Sequence, residues 1–153
     1  NAANSWSAPV LNDLNQDGRM EVVTTDQTGM VWAFDAVDGR LIWKSQILGM
    51  PANPAVTDVD QTGGSELVFI TSAGWVTMLD QNGALVWRHE IGGQSADWAT
   101  SSPVLFAASD RQVRIVAASN TGLVVCLDAD GNRLWSLMAQ APIRIRMRGG
   151  AMV

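Results

Sequence analysis

Residues 35–43 read DAVDGRLIW, residues 80–87 read DQNGALVW, and residues 128–135 read DADGNRLW. In each copy an Asp opens a turn, a Gly lies within the turn, and a Trp follows that Gly by four residues. Asp or Asn combined with Gly between two apolar runs is a strong hairpin signal. Three copies of one hairpin predict a repeat protein built from β-strands.

The repeat extends well beyond this hairpin. A Pro precedes each hairpin Asp, and successive Pro residues (9, 54 and 103) are 45 and 49 residues apart. In the second unit, segments rich in β-branched and aromatic residues predict strands at 55–57, 66–71, 75–79 and 84–88. A four-stranded meander that repeats at this period predicts the blades of a β-propeller.

We therefore predict an all-β fold, a single partial propeller over residues 1–153. Blade 1 is expected at about 5–48, blade 2 at about 50–92 and blade 3 at about 98–139, with 140–153 opening a further blade or acting as a closing strand. Propellers usually have four to eight blades, and three alone would leave two apolar faces uncovered. Further blades or subunits are expected to close it. In the tail, Arg144, Arg146 and Arg148 alternate with apolar residues, which is typical of a strand with a solvated or subunit-facing basic side.

The composition argues against several classes of function. Hydrophobic residues make up 47% and charged residues 16% of the chain, as in a packed globular protein. No apolar run approaches the roughly 18–20 residues of a membrane helix, and the net charge of −5 argues against a nucleic-acid partner. A single histidine, His89, and a single cysteine, Cys126, argue against multi-histidine catalysis and a cysteine-rich zinc site, so both are predicted to be structural. Residues 1–5 resemble no part of a signal peptide, which is expected to be absent or already removed.

Two loops carry oxygen side chains in a pattern typical of calcium ligands. In the first loop Asp13, Asn15, Asp17 and Glu21 stand at positions 1, 3, 5 and 9, and Gly18 permits a sharp turn. Calcium prefers six to eight oxygen ligands, so both loops are predicted to bind a structural calcium ion. The alternative is a turn whose oxygens bind only its own backbone. The second loop repeats the pattern with Asp58, Asp60, Thr62 and Glu66.

The seven Trp residues divide into two predicted groups. Trp43, Trp87 and Trp135, which close the three hairpins, are expected to pack one blade on the next, and Trp32 is expected in the core. A second group is predicted to share the face opposite the calcium loops, where aromatic platforms with polar neighbours can hold a peptide or a sugar. The alternative for this group is partial burial under loops. The tryptophans of this group are Trp6, Trp75 and Trp98, and Asp97 is predicted on the same face, with Gln94, Asn53 and Gln27 nearby.

The hairpin with its Gly-x-x-x-Trp pattern resembles the PQQ-like propeller repeat of quinoproteins and BamB-like scaffolds. The Ser-x-Pro strand followed by the first oxygen-rich loop resembles the FG-GAP/VCBS repeat. Together the two resemblances cover residues 7–139. They imply calcium ligands at the eight loop positions given above, with Thr62 departing from the pattern, and a secreted, periplasmic or cell-surface location. Quinoprotein dehydrogenases of this fold carry an adjacent pair of cysteines, so PQQ binding is not expected from this chain alone.

Three functions remain open on the sequence. The favoured one is a calcium-stabilised, non-enzymatic propeller that binds a protein or a glycan. The second is part of an enzyme, either quinoprotein dehydrogenase-like or carbohydrate-active, whose other blades lie elsewhere. The third is a structural subunit of a larger assembly. No catalytic residues are predicted.

Overall fold

The computed structural model describes residues 7–91, 102–119 and 122–139. These residues form three four-stranded antiparallel sheets, each with its strands in chain order. We call the sheets blade 1 (β1–β4), blade 2 (β5–β8) and blade 3 (β9–β12). The strands are β1 (Val10–Asn12), β2 (Glu21–Thr25), β3 (Met30–Asp35), β4 (Leu41–Gln46), β5 (Ala55–Thr57), β6 (Glu66–Ile70), β7 (Trp75–Leu79), β8 (Leu85–Glu90), β9 (Val104–Ala107), β10 (Val113–Ala118), β11 (Leu123–Leu127) and β12 (Arg133–Met138).

The predicted strands of the second unit are all present, and two of them have slightly different ends. The strand predicted at 66–71 ends at Ile70, and Thr71 instead forms an isolated bridge with Pro51. The strand predicted at 84–88 runs from Leu85 to Glu90. The strand predicted in the tail lies outside the described residues, and the blade boundaries stay predictions.

The hairpin turns form as their residues dictate. In blade 2 the Asp80 carboxylate accepts hydrogen bonds from the backbone N–H groups of Asn82 and Ala84, at 2.9 and 2.8 Å. Gly83 closes the turn at a φ of 78°, a conformation that favours glycine. Asp128 makes the equivalent bonds in blade 3.

A one-residue bulge follows each of these turns, a feature that the sequence did not reveal. In blade 1, Trp43 pairs with Ala33 while Leu41 pairs with Phe34, so Ile42 is the extra residue. The same register shift occurs in the other two blades. Bulges re-aim the side chains beside them. The three extra residues are all exposed: Ile42, Val86 and Leu134.

Blade 2 lies between its neighbours and is covered on both faces. Every residue of β6 is buried. Leu67 and Phe69 belong to a core shared with blade 1, while Val68 and Ile70 belong to a second core shared with blade 3. Within the part of the chain that the structure describes, blades 1 and 3 therefore each have one face covered by blade 2 and one outer face.

The prediction that Trp32 is a core residue is wrong. Its neighbours Val31 and Ala33 point into the core between blades 1 and 2, whereas Trp32 is only partly buried. Because side chains alternate along a strand, Trp32 lies on the outer face of blade 1. Within the described ranges, no helix is long and apolar enough to cross a membrane.

Candidate functional site

In the first predicted calcium loop, the side-chain oxygens accept hydrogen bonds from backbone N–H groups of the same loop. Asp13 accepts hydrogen bonds from the N–H groups of Asp17 and Gly18, at 3.0 and 2.8 Å. Asn15 Oδ1 accepts from the Asp17 N–H at 3.1 Å, and Asp17 Oδ1 accepts from the Arg19 N–H at 2.8 Å. This is the self-satisfied turn that the sequence left as an alternative, and it places no limit on metal binding by itself.

The second loop gathers three carboxylates. One oxygen each of Asp58, Asp60 and Glu66 lies within 4.8 Å of the others, the one such group among the residues that the structure describes. Asp60 Oδ1 accepts from both the N–H and the hydroxyl of Thr62. Asp58 Oδ2 accepts a long bond of 3.3 Å from the Gly63 N–H, while its Oδ1 is buried with no hydrogen-bond partner.

The convergence of these carboxylates affects the pKa of Glu66. Burial raises the pKa of Glu66 above its ordinary value, and the neighbouring carboxylates of Asp60 and Asp58 raise it further. The Val59 N–H, which donates to Glu66 Oε2 at 2.7 Å, opposes the shift. At neutral pH the loop therefore holds like charges together at a cost that a bound cation would offset.

Blade 3 has a basic residue where blades 1 and 2 have a glutamate. Arg114 occupies the register position in β10 that Glu21 occupies in β2 and Glu66 occupies in β6, since each pairs with the equivalent residue of the first strand of its blade. Its guanidinium pairs with Asp110 at 2.5 Å. A side-chain cation is thus built into the blade whose loop lacks the predicted calcium ligands.

The loops also connect the blades, which sequence reasoning missed. The Ser65 N–H donates to the carbonyl of Leu14 at 2.7 Å, joining the loops of blades 2 and 1. The Gln61 side chain donates to the Arg111 carbonyl at 2.8 Å, joining the loops of blades 2 and 3. Leu14 and Val59 are buried in the two cores as anchors. The signal was an apolar residue directly after the first Asp of each loop.

Trp43 and Trp87 pack between blades as predicted. The Trp43 indole N–H donates to the carbonyl of Gln81 in the next blade's hairpin turn, at 2.9 Å. The Trp87 indole repeats this bond to the carbonyl of Ala129, at 2.8 Å. Both tryptophans pack against the adjoining cores. Trp135, at the same position in blade 3, is exposed.

The predicted ligand face is partly within the described residues. Trp75 is partly buried at the start of β7, and the Arg88 guanidinium lies 5.3 Å from the centroid of its ring. Asn53 is engaged between blades, since its side chain accepts from the Ala8 N–H at 3.0 Å, and Gln27 is exposed. Trp6, Trp98, Asp97 and Gln94 lie outside the described residues.

A groove opens beside Arg88, at the end of the blades opposite the loops. Its volume is about 330 Å³. Among the described side chains, no ion pair involves Arg88. The groove is lined by Thr28, Gln46, Ile47, Leu48, Gly49 and Arg88.

Cys126 and His89 were predicted to be structural. Cys126 is buried, and burial raises the pKa of its thiol, with Arg114 opposing and Asp128 adding to the shift. A thiol with a raised pKa is a poor nucleophile. His89 is partly buried in β8.

Comparison with known proteins identifies the repeat. The family described as "Outer membrane protein assembly factor BamB" matches residues 3–149. The chain belongs to this family. The BamB family match confirms the PQQ-like repeat and the β-propeller blades, while the FG-GAP/VCBS resemblance stays a prediction.

Solved structures agree on the fold. BamB from Moraxella catarrhalis is 21% identical with a TM-score of 0.61, covering 88% of this chain and 37% of that one. The structure of BBS1N in complex with ARL6DN, soaked with lead, is 10% identical with a TM-score of 0.64, covering 90% and 44%. This chain thus spans less than half the length of either neighbour. Curated proteins gave no match.

Proposed function

We propose that this chain is part of a non-enzymatic BamB-type propeller scaffold that binds another protein outside the cytoplasm. The family description names an assembly factor for outer membrane proteins, and the BBS1N neighbour was solved in complex with another protein. Those descriptions support a protein ligand over a glycan and a location in the cell envelope or beyond it. The propeller is completed by further blades or subunits.

The groove beside Arg88 is the observation on which the proposed ligand-binding site rests. It combines an unpaired cation stacked on Trp75 with exposed Leu48 and with polar Gln46. A cation beside apolar groups suits an extended peptide that presents a carboxylate next to apolar residues. These groups lie at the junction of blades 1 and 2. No catalytic residue is assigned there.

Substituting Arg88→Glu is expected to weaken binding of an acidic, apolar-alternating peptide about tenfold, because it reverses the charge at the groove. Isothermal titration of that peptide measures the effect, with a neutral oligosaccharide as the glycan probe. The matched control is Arg133→Glu, which makes the same charge change at an exposed site on β12. Equal losses in both variants, or binding of the oligosaccharide alone, would contradict the proposal. Dye reduction after adding PQQ and an alcohol would favour the enzyme alternative instead.

Calcium binding at the second loop is the other part of the proposal. Asp58, Asp60 and Glu66 would hold the ion, and the buried, unpartnered Asp58 Oδ1 is an oxygen that lacks a donor without one. The ion would neutralise the gathered carboxylates and hold a loop that contacts both neighbouring blades. The same role at the first loop, through Asp13, Asn15, Asp17 and Glu21, rests on the sequence pattern.

Millimolar calcium is expected to raise the melting temperature of the wild type by about 2–6 °C, since weak extracellular-type sites contribute about 0.5–1.5 kcal/mol. Glu66→Gln should lose the contribution of the second loop. In metal-free protein at neutral pH this variant should be at least as stable as the wild type, because it removes a buried carboxylate and keeps an acceptor for Val59. Calorimetry with and without calcium measures both effects. Asp130→Asn, in an exposed turn, is the control.

The pH dependence has a definite sign. Because the pKa of Glu66 is raised in the folded state, folded Glu66 binds its proton at a higher pH than Glu66 in the unfolded chain. As the pH falls through the folded pKa towards the unfolded value, metal-free wild type should therefore gain stability relative to Glu66→Gln. Carboxylates remote from Glu66 cancel in this difference, whereas Asp58 and Asp60, which interact with Glu66, belong to the effect that is measured. A calcium effect of zero in the wild type would overturn the metal site.

A further inference from the structure

The first loop, in blade 1, has positive charges of its own beside it. The Arg19 guanidinium lies 3.2 Å from Asp35 Oδ2, and the Arg40 guanidinium lies 4.0 Å from the same oxygen. Asp35 is buried and pairs in register with Glu21, one of the predicted calcium ligands. Arg19 also stands within the loop, two residues from the ligand positions Asp17 and Glu21. Two arginines are thus paired with the buried acid beside this loop.

The second loop, in blade 2, repeats the acids but lacks these arginines. Gly64 stands where blade 1 has Arg19, two residues before the loop glutamate. Ala84 stands where blade 1 has Arg40, since each supplies the carbonyl that accepts a hydrogen bond from the N–H of its hairpin aspartate. The span 58–84 contains four acids and no Lys, Arg or His. Among the described residues, none of the ion pairs lies at this loop.

Blade 3 also has a cation in its loop region. Arg114, at the register position of the loop glutamates, lies 2.5 Å from Asp110. Of the three described blades, blade 2 is therefore the one whose loop and hairpin acids form no ion pair. It is also the blade in which three carboxylates converge and Asp58 Oδ1 is buried without a hydrogen-bond partner.

We infer that the calcium ion of the proposed function binds at the second loop alone, because Arg19 keeps a divalent cation out of the first loop. An ion entering the first loop would meet the like charge of Arg19. It would also have to draw Asp13 and Asp17 away from the backbone N–H groups that donate to them. At the second loop the ion would meet converging carboxylates. This inference rests on the proposed calcium site and narrows it to one of the two loops.

Isothermal titration of the full chain with calcium is expected to show binding that Glu66→Gln abolishes and Glu21→Gln leaves unchanged. The two variants are matched, because each keeps an acceptor for the backbone N–H that the glutamate binds, from Val59 in one loop and Leu14 in the other. Loss of calcium binding in Glu21→Gln, alone or together with Glu66→Gln, would overturn the inference and leave calcium binding itself established. No binding by the wild type would contradict the calcium proposal, and the inference with it.

A gain of binding tests the role of Arg19. Arg19→Gln should raise the calcium affinity of the first loop about tenfold, because it removes a like charge within the loop. A second binding event should therefore appear at millimolar calcium, and adding Glu21→Gln should remove it. Arg133→Gln, which removes the same charge from an exposed site on β12, is the control. The absence of a second event in Arg19→Gln, or the same event in Arg133→Gln, would overturn the assignment of Arg19.

Discussion

Replacing Phe69 with alanine is expected to lower the free energy of unfolding by about 3–5 kcal/mol, the usual range for a fully buried phenylalanine. Phe69 is the fourth of the five residues of β6 and is completely buried in the core shared by blades 1 and 2. Each propeller blade depends on its neighbours for cover, so a cavity here weakens the contact between two blades as well as one sheet.

Chemical denaturation of the Phe69→Ala variant measures this loss. Val86→Ala is the control, because Val86 is also a strand residue of blade 2 but is exposed, and surface changes usually stay within about 0.5 kcal/mol. A loss below that of a surface substitution would mean that blades 1 and 2 do not share the core described here.

Gly83→Ala is expected to lower the free energy of unfolding by about 3 kcal/mol, from left-handed backbone strain and displacement of the Trp43 ring. The new β-carbon would lie 2.5 Å from the ring, and φ at this residue is 78°. Moving the ring also lengthens the indole bond to Gln81 and disturbs the contact between Ser45 and Gly83.

The corresponding Gly39→Ala separates strain from displacement. Gly39 has a φ of 70° but open space around it, so it should lose only about 1 kcal/mol from backbone strain. Both variants are compared by denaturant unfolding at the same protein concentration. Equal losses at the two glycines would show that the tryptophan contact contributes nothing.

The sequence predicted the blades and their tryptophan contacts because both depend on local patterns. The hairpin signal Asp80 to Gly83 fixes the turn, and alternation fixes which side chains face a neighbour. Trp32 shows the limit of that logic. A large apolar residue in mid-strand is expected in the core, yet its face is decided by register and by which blades are next to it.

The sequence could not show which loop gathers its acids. Both loops share spacing, but in the first loop Asp13 turns both oxygens to backbone N–H groups. In the second loop, Thr62 donates two hydrogen bonds to Asp60 Oδ1, and Asp58 Oδ1 has no hydrogen-bond partner. The substitution that departs from the calcium pattern thus stands in the loop where three carboxylates converge. Which donor each carboxylate oxygen meets depends on the backbone conformation of the loop, and the spacing of the residues does not specify it.

The tryptophan contacts give the row of blades a polarity. Every blade offers an indole on one side and a turn carbonyl on the other, and Trp43 and Trp87 both point towards the C-terminal blade. The indole side and the carbonyl side of a blade are complementary, and both belong to the same repeat. Duplicating the sequence of one blade therefore adds a blade to the row and uses only the contact that already exists. A gene encoding such a unit can therefore lengthen or shorten its product by whole repeats, and each junction is already compatible with the next.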